Sequence, residues 1–74
     1  MSQTNLNALG KKCPMPVLMT KKELQKMKSG DTLELIVDDR GALKDIPALL
    51  GKTGDVLLET KEEASKITFI IKKK

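Results

Sequence analysis

The chain has no histidine, tryptophan or tyrosine, and only one phenylalanine and one cysteine among its 74 residues. Each absence removes a class of chemistry. Without histidine, the usual base that activates a nucleophilic thiol or hydroxyl is missing. Without a second cysteine there is no disulfide within the chain and no dithiol redox cycle, which speaks for a reducing, cytoplasmic setting. One cysteine and scattered carboxylates make a poor metal site, so neither a metal nor a cofactor is expected. Phe69 alone offers no stacking platform for unpaired bases, and direct nucleic-acid binding is not expected. No apolar run reaches membrane-spanning length and no leader is visible, so no membrane contact is expected either.

What is present is charge. Charged residues make up 32% of the chain, with a net of +4, and lysines cluster at Lys11-Lys12, Lys21-Lys22 and Lys72-Lys73-Lys74. Such a surface keeps a small protein soluble and suits docking on an acidic partner. The length fits a single domain over residues 1–74 with a modest core, and no repeat or linker divides it.

Period-2 and helical patterns alternate along the chain. Leu6 and Ala8, spaced by Asn5 and Asn7, predict a short strand near residues 4–8. Pro14 and Pro16 suit the first turn of a helix, where a missing N–H costs little. Val17, Thr20, Leu24 and Met27 form its buried stripe, and Ser29-Gly30 ends it. Leu33, Leu35 and Val37 line one face of a strand over 32–37. A second helix follows, from about residue 43 or 45 to 52, with Asp45 as N-cap, Pro47 in the first turn and Gly51 and Gly54 as stop signals. Strands at 56–59 and 67–71 flank a charged hairpin from Lys61 to Lys66. The order is β-α-β-α-β-β. Two helices cover one face of a four-stranded sheet better than two, which predicts an α+β two-layer sandwich with both helices on one face. The open face would then show Ile36, Leu57 and Ile70.

This order places Cys13 at the head of the first helix, inside Gly10-Lys11-Lys12-Cys13-Pro14-Met15-Pro16. A free thiol is only a few per cent ionised at neutral pH. The positive helix end and the two lysines both favour the thiolate. Pro14 and Pro16 stiffen the mounting, and Gly10 allows a tight turn, one that can require a positive φ. A buried cysteine acting as a small hydrophobe fits poorly between two lysines and two prolines. A lone activated thiol can accept a group and pass it on, for example sulfur as a persulfide. It can also serve as a redox sensor.

The run from Leu6 to Val17 resembles the signature of the TusA/SirA family of small sulfur carriers, whose pattern is L-D-x-x-G-x-x-C-P-x-P. Asp38-Asp39, Asp45-Ile46-Pro47 and Lys52-Thr53-Gly54 extend the resemblance over about residues 5 to 73. It implies a four-stranded mixed sheet, similar to the C-terminal domain of a bacterial translation initiation factor. It also implies that Cys13 takes sulfur as a persulfide from a cysteine desulfurase or rhodanese-like donor and relays it to an acceptor protein. In the family that relay serves tRNA 2-thiouridine formation, sulfur oxidation, molybdenum-cofactor supply or selenium metabolism. Asn7 stands where the family's acidic residue is common, and Asp55 where many members have histidine.

On the first helix, Met15, Met19, Lys22 and Lys26 follow one another at i, i+4, i+7 and i+11, opposite the core stripe. With Lys11, Lys12 and Lys22, the thioethers of Met15 and Met19 are expected to form the docking surface around Cys13. Two alternatives stay open: a regulatory or protein-binding module whose Cys13 is a redox sensor or inert, and a basic adaptor that touches tRNA without chemistry.

Overall fold

The structure is a computed structural model that describes residues 3–12 and 15–74. Its elements run β1 (Gln3–Ala8), α1 (Met15–Lys26), β2 (Thr32–Val37), α2 (Ala42–Thr53), β3 (Val56–Glu63) and β4 (Lys66–Lys72). The sheet order is β1-β2-β4-β3, with β1 parallel to β2 and the other two pairings antiparallel. The sheet is therefore mixed, and the expected order of strands and helices is the one observed.

Register explains where the core sits. Ala8, Val37 and Ile67 lie in one cross-strand row, Leu6, Leu35 and Phe69 in the next, and Thr4, Leu33 and Ile71 in the third. Leu33, Leu35, Val37, Ile67, Phe69 and Ile71 are buried and share a cluster with Leu24 of α1 and with Ala42, Ile46 and Leu50 of α2. Residues at the alternate positions, Glu34, Ile36, Thr68 and Ile70, stay partly exposed. Both helices thus cover one face, as period-2 alternation with one wet side requires.

Three local expectations need correction. The second helix begins at Ala42, and Asp45 and Pro47 lie inside it. Starting at residue 45 would have left Ala42 and Leu43 off the core, whereas Ala42 is buried and Leu43 packs against the cluster. The N-cap is Gly41, and it carries no side-chain capping bond. Just upstream, the Asp39 carbonyl accepts the Ala42 N–H at 3.1 Å, and Asp39 Oδ1 accepts the Gly41 N–H at 3.0 Å. At the other end Gly51 remains helical, and Gly54 is the left-handed C-cap, with its N–H on the Leu50 carbonyl.

The second correction concerns Leu57. A bulge between Leu57 and Glu59 shifts the parity of β3, so Leu57 sits opposite Ile71 and Glu59 opposite Ile70. Leu57 therefore packs against the core, and Leu58, the extra residue, is exposed. The open face keeps Ile36 and Ile70 without Leu57. Third, the strands of the last hairpin continue through its charged residues to Glu63 and Lys66, leaving Ala64-Ser65 as the turn. Edge strand β3 tolerates Lys61, Glu62 and Glu63 because its side chains there stay exposed.

Candidate functional site

Because β1 and β2 are parallel and each leads into a helix, the loops after both strands come to the same end of the molecule. β4 is antiparallel to β2 with Ile67 opposite Val37, so the β3–β4 turn arrives there too. Three described segments meet at this end: residues 9–12, 38–41 and 64–65. Both helices point their N-termini, and so their partial positive charge, at this end.

The loop after β1 is built from local hydrogen bonds. The Leu9 N–H donates to Asn7 Oδ1 at 2.9 Å, and the Lys11 N–H to the Ala8 carbonyl at 3.2 Å. Asn7 thus does with an amide oxygen what an acidic residue would do there. Gly10 has a φ of 79°, and a Cβ at this position would meet nothing within 4 Å. Glycine is needed for its backbone conformation and not for space. The Gly10 N–H donates to Asp38 Oδ2 at 3.0 Å, which joins this loop to the one after β2.

Cys13 and Pro14, two of the motif residues, lie outside the described residues. Their neighbours are placed: the Met15 N–H donates to the Lys12 carbonyl at 2.8 Å. Lys11 and Lys12 are exposed. Pro16 is buried in the first turn of α1, and its carbonyl also accepts the Thr20 hydroxyl at 2.7 Å.

On α1, Met15 is 44% and Leu18 47% exposed. Met19 is half-buried and packs against the core cluster. Together with Lys21, Lys22 and Gln25 these three line a mostly apolar hollow of about 410 Å³. The expected docking residues Met15, Met19 and Lys22 therefore share one surface feature, while Lys11 and Lys12 lie on the loop ahead of it. Leu18 was missed. Its signal was available, since a leucine off the Val17-Thr20-Leu24-Met27 stripe must face outward.

A second hollow, about 470 Å³, is lined by Gly10, Lys12, Asp38, Asp39 and Arg40. Arg40 also reaches Glu62 Oε1 on β3 at 3.5 Å. The hollow carries both signs of charge. Among the described residues no three of His, Cys, Asp and Glu come together to hold a metal ion, and no helix is long and apolar enough to cross a membrane.

Comparison with known proteins agrees with this geometry. A sulfur carrier protein TusA of Allochromatium vinosum is 47% identical over 68 residues, covering 92% of this chain and 90% of that protein. A putative sulfur carrier protein of Neisseria meningitidis is 38% identical over 74 residues, the full length of both. The crystal structure of a SirA-like protein from Desulfitobacterium hafniense superposes with a TM-score of 0.82, covering 97% of this chain and 96% of that one, at 24% identity, which speaks to the fold. The model of the family described as sulfurtransferase TusA matches residues 4–73. The chain belongs to the TusA family of sulfur carriers.

Proposed function

We propose that Cys13 carries sulfur as a persulfide between a donor and an acceptor protein. The observation that supports this most is the coincidence of the family match over residues 4–73 with a single cysteine, two positions ahead of α1 in the sequence. The loading step balances without a cofactor. The Cys13 thiolate attacks the terminal sulfur of a persulfide on a cysteine desulfurase or rhodanese-like donor. The new S–S bond forms as the donor's S–S bond breaks, and the donor leaves as a thiolate. The proton released on ionising Cys13 balances the charge. Relay to the acceptor repeats the exchange with the roles reversed.

No histidine or second thiol of this chain takes part. Loading and unloading therefore both depend on partners, and the protein needs a surface for each. The α1 hollow of Met15, Leu18 and Met19, with Lys21 and Lys22, supplies apolar area beside positive charge. Flexible thioethers suit a surface that meets two partners in turn. The relay would operate in the cytoplasm, with 2-thiouridine formation in tRNA as its outlet.

Intact mass after incubation with a cysteine desulfurase and cysteine tests the reading. The expected result is a one-sulfur adduct that dithiothreitol removes and that Cys13→Ala lacks. Absence of an adduct with both desulfurase and rhodanese donors would refute it, and favour a redox-sensing or inert thiol.

A further inference from the structure

Asp38 directly follows β2, and it reaches 28 positions back along the sequence to hold the Gly10 N–H. Its neighbour Asp39 serves the helix that follows, through the Gly41 N–H. The two adjacent aspartates thus divide the work: one shapes the turn that leads into α2, the other ties down the loop before α1.

Two backbone bonds hold the described residues of this loop: the Lys11 N–H is held by the Ala8 carbonyl, and the Met15 N–H by the Lys12 carbonyl. These bonds shape the loop but do not attach it to the sheet. Attachment comes through Asp38, which holds the loop against the end of the neighbouring strand. The left-handed Gly10 makes this possible, because its conformation sets the direction of its N–H.

We propose that Asp38 is a positioning residue for Cys13, holding the thiol-bearing loop where a sulfur donor can reach it. The proposal rests on the reading of Cys13 as the sulfur carrier. Lys12 and Arg40 line the same hollow as Asp38 and offset its charge. A carboxylate acceptor also forms a stronger bond to an N–H than a neutral oxygen does. Asp38 is exposed, so its bond adds little to folding stability, and the core beneath it, closed by Val37 and Ala8, does not depend on it. Loss of the bond should therefore release the loop without unfolding the protein.

Two substitutions separate the hydrogen bond from the charge. Asp38→Asn removes the charge but keeps an oxygen that can accept the Gly10 N–H, while Asp38→Ala removes both. Three quantities are read: kcat/KM for persulfide loading from a cysteine desulfurase, the pH profile of Cys13 alkylation by iodoacetamide, and the urea midpoint. The expected loss for Asp38→Ala is about tenfold in kcat/KM, against about twofold or less for Asp38→Asn, with similar urea midpoints. The alkylation profiles of the two variants should also separate.

Equal loading of the two variants together with superimposed alkylation profiles would overturn the role of Asp38. A gap in either measurement supports it. Should the wild-type protein accept no sulfur, the carrier reading fails by itself, and the alkylation profiles alone still decide for or against Asp38.

Discussion

The two helices are the same length, and each contains a proline, yet they dispose of their apolar residues in opposite ways. α2 buries Ala42, Ile46, Leu49 and Leu50. α1 buries only Pro16, Thr20 and Leu24, and leaves Met15 and Leu18 about half exposed. One helix is committed to the core. The other gives the core fewer side chains and keeps Met15 and Leu18 on its surface. On the proposed reading, stability rests mainly on α2 and docking on α1, and substitutions should separate them.

The largest effect is expected in the core of α2. Ile46 is fully buried in the central cluster, and Ile46→Ala should lower unfolding stability by about 3 kcal/mol, through lost transfer energy and a residual cavity. On α1, Leu18→Ala should cost less than about 0.5 kcal/mol, because the side chain is half in water already. Urea unfolding of both variants checks the contrast. Equal losses would mean that α1 is as much a core helix as α2.

The prolines sharpen the same comparison. Pro16 is the second residue of α1, where no intrahelical N–H is needed. Pro47 is the sixth residue of α2 and denies a donor to the Leu43 carbonyl. Pro47 is exposed, so Pro47→Ala removes no packing and should raise stability by about 2 kcal/mol, measured by the same urea titration. A destabilised variant would show that the proline ring or the bend it imposes supports the helix–sheet contact.

Pro47 also marks where sequence reading went astray. An aspartate two residues before a proline looks like a helix start, and the pattern placed the cap at Asp45. Burial of Ala42 and Leu43 outweighed that local signal, and the N-cap lies at Gly41. β1 and β2 were legible because a sheet wet on one side imposes strict alternation. The alternation failed at Leu57, where a bulge adds one residue and reverses the faces before and after it. The Asp38–Gly10 bond spans 28 positions and has no local signature. Around the candidate site, Lys11 and Lys12 lie exposed on the loop after β1, as the motif implied. Leu18 was not read, because the outward stripe was counted from Met15 in steps that pass over it.

Function should respond on α1 and not on α2. Leu18→Glu places a carboxylate in the hollow that Met15, Met19, Lys21 and Lys22 share. Loss of one apolar contact and introduction of charge should reduce persulfide loading about tenfold at a fixed low donor concentration, roughly 1.4 kcal/mol of docking. Ala48, on the exposed side of α2, provides the control: Ala48→Glu should leave loading unchanged. Unfolding midpoints of both should stay near that of the wild type. Similar loading by the two variants would remove α1 from the docking surface.

A smaller effect than those of Ile46 and Pro47 tests why α1 has a polar residue in its buried stripe at all. Thr20 is fully buried, and its hydroxyl donates to the Pro16 carbonyl one turn back. This bond joins the middle of α1 to the turn that follows Cys13 in the chain. Thr20→Val keeps shape and β-branching and removes only the hydroxyl. Because no buried hydroxyl is then left unpaired, the cost should be only about 1 kcal/mol. The carbonyl of Pro16 keeps its place as the acceptor for the backbone N–H of residue 20 in helical geometry. If the bond only stabilises α1, urea unfolding will register the loss and persulfide loading will not change. If loading falls as well, Thr20 helps set the first turn of α1, and that turn matters to loading beyond its share of stability.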